Sequence, residues 1–244
     1  MAPTASTPDP RDTRIGRVAA SVYWYLMVEA GFLLAAAPGL VGLALVVPEP
    51  GSIPLYALCA VPFAPAFSAA LYALRGGTRG PDQNPWPRFW RGWRMNVADV
   101  LWVWIPVVAV GAAVGIGIAF GPAAGVPALL VVISWVLLAV LAVWAGIAVV
   151  ICSWFSFRAR DVARLASYYL AARPLVGLGF ASLLIVAVAL TFFASGWFVA
   201  LTASIFVGFA RVTARPMERD IEERFLAPDA AADAAHERGD QPPG

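Results

Sequence analysis

Apolar residues run through this chain in long stretches, and the polar residues that separate them recur at regular places. The first stretch, residues 18–47, would make about 45 Å of helix at 1.5 Å per residue, more than the roughly 30 Å hydrocarbon core of a bilayer. Pro38 and Gly39 within it predict a kink or a break. Pro48, Glu49, Pro50, Gly51 and Ser52 supply a tight turn, and a second apolar stretch follows over residues 54–74. An arginine-rich connection over 75–96 leads to a third stretch at 97–120, a turn at Gly121 and Pro122, and a fourth stretch at 126–155. After a second arginine-rich connection, the apolar run 175–210 is too long for one span and is expected to fold as a hairpin at Ser195 and Gly196. The expected fold is all-α, a polytopic membrane bundle of about six transmembrane helices with two amphipathic interfacial helices. The predicted division is a disordered N-terminus over residues 1–17, a six-span domain over 18–213, and a tail over 214–244 that is disordered beyond about residue 227.

The two connections read as amphipathic. On a helical wheel of residues 88–97, Phe89, Trp90, Trp93 and Val97 share one arc, and Arg88, Arg91, Arg94 and Met95 the other. This predicts a helix lying flat at the headgroup level, its aromatic rings toward lipid, with Trp86 and Trp102 extending the belt and the guanidinium groups reaching anionic phosphates. In the second connection Val162, Leu165, Ala166, Tyr169 and Leu170 share a face opposite Arg160, Asp161, Arg164 and Tyr168.

Composition supports the membrane reading: 61% of the 244 residues are hydrophobic and 13% charged, outside the range of soluble domains. All 17 basic residues are arginine, and they fall only before the first span, in the two long connections and after the last span. Basic residues resist translocation, so both termini and both long connections are expected in the cytoplasm, with the protein in a plasma membrane. The net charge of +2 conceals this segregation, because many acids lie in the last tail, and nucleic acid is not an expected partner. Residues 1–13 hold prolines and aspartates without an apolar core, so they do not read as a cleaved signal peptide.

Within the spans a few polar or helix-breaking positions stand out. Glu29 lies twelve residues beyond Arg17, about 18 Å along a helix, and approaches the bilayer centre, where a carboxylate needs a proton or a partner; Tyr25, Ser68 and Tyr72 are candidates. Pro62 and Pro65 interrupt the second span and Pro106 the third, and broken helices line solute sites in some transporters. Asp99 falls in the first turn of the third span, where Asn96 would cap the helix. Cys59 and Cys152 lie at different depths, which argues against a disulfide. His236 is the only histidine, and neither a metal-ligand spacing, nor a phosphate loop, nor a nucleophile elbow is present, so no metal, cofactor or enzymatic activity is expected.

The stretch Ala64-Pro65-Ala66-Phe67-Ser68-Ala69-Ala70-Leu71-Tyr72, followed by Phe89-Trp90-Arg91-Gly92-Trp93-Arg94-Met95-Asn96, resembles the YesL family of bacterial membrane proteins, whose function is unknown. That family shows Gly-Pro-Ala-x-x-Ala-Leu-Tyr and then Phe-x-x-Gly-Phe-x-x-Asn. Pro65, Ala66, Leu71 and Tyr72 carry the first likeness, with Ala64 in place of the glycine; Phe89, Gly92, Trp93 and Asn96 carry the second, and Arg173-Pro174-Leu175 looks like the start of the family's fifth span. The resemblance implies a six-span protein often associated with carbohydrate uptake systems, and thus an accessory role beside a sugar ABC importer.

Two functions are compatible with these residues. In one, the protein is a non-enzymatic accessory whose arginine-aromatic helices, through Arg88, Phe89, Trp90, Arg91, Trp93, Arg94, Arg160 and Arg164, contact importer subunits or a membrane sensor as well as anionic lipid. In the other, it is a small-solute permease using Glu29 and the broken spans around Pro62, Pro65, Ser68, Tyr72, Asp99 and Pro106.

Overall fold

The computed structural model describes residues 14–75, 84–155, 158–193 and 196–221; the expected disorder of both termini, Phe225 and His236 lie outside the described residues. Nine α-helices make up the described part: α1 (Arg14–Leu45), α2 (Ile53–Ala60), α3 (Phe63–Arg75), α4 (Pro85–Phe120), α5 (Ala128–Trp154), α6 (Ala159–Ala172), α7 (Pro174–Phe193), α8 (Gly196–Leu201) and α9 (Ala203–Ile221). Five segments are long and apolar enough to cross a membrane: most of α1, α2 joined with α3, α4, α5 and α7. The short α8 and the first half of α9 return as a broken sixth stretch, so the all-helical bundle of about six spans stands.

The bundle's local breaks follow proline and glycine chemistry. Pro62 has no amide hydrogen, so the helix ends at Ala60, the amide of Val61 turns back to the Leu58 carbonyl (3.2 Å), and the Pro62 carbonyl accepts from Ala66 (3.2 Å) to start α3. Pro65 falls in the first turn of α3, where its missing amide hydrogen has no intrahelical partner to lose. Between α4 and α5, Gly125 holds φ at 78°, a left-handed conformation that glycine adopts without steric cost. The other expected breaks do not occur. α1 continues through Pro38, α4 through Pro106 and α9 through Pro216, and α1 begins at Arg14, inside the segment expected to be disordered.

The largest departure concerns the first arginine-rich connection. α4 is one helix of 36 residues from Pro85 to Phe120, so residues 88–97 are the end of the third span and not a separate helix lying flat. Its aromatic face turns into the protein: Phe89 is fully buried against Gly31 of α1, where an added Cβ would lie 2.9 Å from the ring. Gly92 sits under Tyr72 of α3, with 2.7 Å between an added Cβ and that ring. Trp90 and Trp93 are half-buried and stack edge-on at 6.0 Å. The capping residue is Asn84, whose side chain accepts from the Trp86 amide at 3.0 Å, whereas Asn96 is three turns inside the helix. The second connection forms α6, with Val162, Ala166 and Tyr169 buried and Arg160, Arg164 and Tyr168 exposed, as its periodicity predicts.

Core side chains concentrate at the arginine-bearing end, along α3, the second half of α5, α6 and α9. Toward the opposite end the helices separate, and α4 and α5 display exposed apolar residues such as Ile105, Val110, Leu129, Ile133 and Val136.

Candidate functional site

The polar positions of the spans do not converge on one site. Glu29 is 8% exposed, and its Oε2 accepts a hydrogen bond from the backbone amide of Ser204 at 2.7 Å. Ser204 lies in the first turn of α9, where amides lack intrahelical acceptors and the helix dipole favours a carboxylate. Glu29 thus serves as a remote cap for a helix 175 positions away. Its other oxygen, Oε1, is buried without a hydrogen-bond partner among the described residues.

The residues grouped with Glu29 from the sequence have other partners. The Ser68 and Ser153 hydroxyls share a hydrogen bond of 2.8 Å, Ser153 also donates to the Val149 carbonyl at 2.6 Å, and Asn96 Nδ2 donates to Ser68 Oγ at 3.3 Å and to the Ser153 carbonyl at 3.4 Å. This small network ties α3, α4 and α5 together below the helix break. Tyr72 lies between Gly92 and the guanidinium of Arg88, which stands 5.6 Å from its ring. Tyr25 packs its hydroxyl end on Gly208. Asp99 and Pro106 are exposed on α4, so neither joins a common site with Glu29 or Pro65. Cys59 and Cys152 are free thiols, as their separate depths imply.

At the other candidate region the arginines divide into two sets. Helices α3 and α5 end here, and their last carbonyls have no acceptor role within the helix. Arg211 donates to the carbonyls of Leu74 and Arg75, Arg88 Nε to that of Tyr72 at 3.3 Å, and Arg75 Nη1 to that of Trp154 at 3.1 Å. Arg75 also pairs with Glu218 at 3.0 Å, and Asp220 receives Arg173 at 2.8 Å and the Tyr169 hydroxyl at 2.9 Å. These cations tie together the ends of four helices and complement the negative ends of two. The second set, Arg91, Arg94, Arg160 and Arg164, remains exposed. Trp86, Pro87, Trp90, Arg91, Arg94 and Met95 surround a shallow hollow on α4.

Sequence reasoning did not find Ser204, Arg211, Glu218 or Asp220. Arg211 had a signal, a lone cation at the end of an apolar run; the partner of Glu29 had none, because a backbone amide leaves no mark in the residue pattern. Among the described residues no three His, Cys, Asp or Glu side chains gather as a metal site. No family model, curated protein or solved structure matches the chain.

Proposed function

We propose that this is a membrane accessory protein whose arginine-bearing face docks a protein partner, and that it has no catalytic activity of its own. The observation that carries the reading is the hollow formed by Trp86, Trp90, Arg91, Arg94 and Met95, which combines two indoles with two exposed cations. Aromatic, methionine and arginine side chains are the types enriched at protein interfaces. Arg160 and Arg164 on α6 add exposed positive charge to the same end of the bundle. The face is cytoplasmic under the positive-inside rule, and its partner carries an acidic, apolar-tipped segment. The YesL resemblance adds that importer subunits of a carbohydrate uptake system are the class of partner to look for first.

The test is affinity purification from native membranes in mild detergent, comparing wild type with a variant carrying Arg91→Gln, Arg94→Gln, Arg160→Gln and Arg164→Gln. Arg88 is left in place because it closes the end of α3. Stoichiometric co-purification of importer or sensor subunits with wild type, lost in a variant of unchanged thermal stability, supports the reading. Equal recovery from both variants, or none from wild type, overturns it.

A second reading, a permease, is favoured by one observation, the unpartnered Oε1 of Glu29 in the middle of the bundle. It requires that a proton or hydrogen-bonding solute visit that oxygen.

A further inference from the structure

A cavity with a volume of about 600 Å³ lies between α1, α3, α5, α8 and α9, with Trp104 of α4 and Leu184 of α7 at its edges, in the half of the bundle away from the arginines. Its size falls within the roughly 300–1,000 Å³ typical of small-molecule sites. Its walls run along α1 from Phe32 to Ala44, twelve residues or about 18 Å of helix, close to half of a roughly 30 Å hydrocarbon core.

The chemistry of the walls is restrictive. Among the described residues no ionisable side chain lines the cavity, and the indole of Trp104 is committed to the Ala60 carbonyl at 3.0 Å. The Phe32 and Phe63 rings stack at 6.4 Å across its α1 side, and alanines or glycines at 142, 145, 146, 200 and 203 keep the opposite side shallow. A polar solute would lose its hydration here without replacement, so the site suits hydrocarbon. The cavity is partly open, and its far end, at Leu43, Ala44, Gly196 and Trp197, coincides with the ends of α1 and α7, where a headgroup would emerge beside an interfacial indole.

We infer that this cavity binds one acyl chain of a bilayer phospholipid, drawn from the leaflet away from the arginines, with the headgroup at Gly196 and Trp197. A depth near that of one leaflet and an apolar, uncharged lining both match that occupant. The chain stands between α1 and the α8–α9 segment, one helical turn from Glu29, so the lipid occupies the gap that the Glu29–Ser204 bond spans at its inner end.

Native mass spectrometry of the full chain, stripped progressively in detergent with added phosphatidylethanolamine, tests this. Wild type should retain a single phospholipid after surface lipid is lost, and Ala142→Phe and Ala44→Phe, which project a ring into the cavity from α5 and from α1, should each reduce that occupancy at least five-fold. Two variants are used so that one failing to fold does not decide the matter. A photoreactive acyl chain should label Leu40, Phe67 or Leu184. Wild type that retains no lipid, retention unchanged in two folded variants, a free fatty acid as the retained species, a dimer that fills the cavity with a second copy, or labelling confined to exposed positions such as Ile133 and Val136 would each overturn the assignment.

Discussion

Replacing Glu29 separates a structural from a transport role, because Gln and Leu remove different things. The carboxylate accepts from the Ser204 amide at 2.7 Å, in a site only 8% exposed, at the N-terminus of a 19-residue helix. Leu at this position leaves that amide buried without an acceptor. Such a loss costs about 1–3 kcal/mol, with up to about 1 kcal/mol more for the missing helix-dipole interaction, and the middle of that range is about 2–3 kcal/mol. Gln keeps a carbonyl oxygen for Ser204 but places an amide donor where Oε1 has no partner, which costs about 1 kcal/mol.

In a thermal scan of detergent-solubilised protein, about 2–4 °C per kcal/mol for a chain of this size gives a fall of about 4–12 °C for Glu29→Leu and about 2–4 °C for Glu29→Gln. Equal melting of Leu and wild type would refute the capping argument, since the bond would then contribute nothing. Proton flux into liposomes with an entrapped pH dye supplies the second readout. If Glu29→Gln stays folded and abolishes a flux that wild type supports, the permease reading gains and the accessory reading falls. If wild type and Gln are alike in flux while Leu melts early, Glu29 is a helix cap.

Two further pairs of substitutions check the packing and the arginine division. Arg211→Gln removes a cation from the Leu74 and Arg75 carbonyls and should cost about 2 kcal/mol, whereas Arg91→Gln on the exposed face should stay within about 0.5 kcal/mol; comparable losses in melting would contradict the split into two sets. Gly92→Val drives a side chain into the Tyr72 ring and should cost about 1–3 kcal/mol, while Gly51→Ala, with open space around it, should be near neutral in the same scan, and a tolerated Gly92→Val would mean that α3 and α4 are less closely seated.

The spans were legible because lipid demands long apolar helices, and hydropathy measures that demand directly. The orientation of α4's aromatic face was not. An apolar arc looks the same whether it faces lipid or protein, and the wheel that grouped Phe89 with Trp93 carried no information on which one covers it. Gly92 was the residue that distinguished them, since a glycine beside a bulky ring permits another helix to approach, and Tyr72 does so here. Prolines were informative only where the lost hydrogen bond had no easy substitute: Pro62 ends a helix, while Pro38, Pro106 and Pro216 are carried inside one. Asn96 was misplaced as a cap because the helix start was misplaced, and its contact with Ser68 and Ser153 depends on three helices meeting. Glu29 was correctly singled out as needing a partner, yet that partner could be named only from the fold.

The arginines close helices at one end of the bundle. Two of the helices starting there open on proline, Pro85 in α4 and Pro174 in α7, which has no amide hydrogen to leave unpaired. Helices finishing there, α3 and α5, leave carbonyls exposed, and Arg75, Arg88 and Arg211 cover them. Each cation that resists translocation thereby gains a backbone partner, so insertion and folding favour the same arrangement. That account is specific to residues at helix ends. Arg91 and Arg94 stand inside α4, and Arg164 inside α6, where the carbonyls are already engaged in the helix and no end needs covering. Sidedness alone would not require Arg91 and Arg94 to flank a hollow walled by two indoles. The arrangement of these arginines around that hollow is what a partner would read, and it is why the docking variant spares Arg75, Arg88 and Arg211.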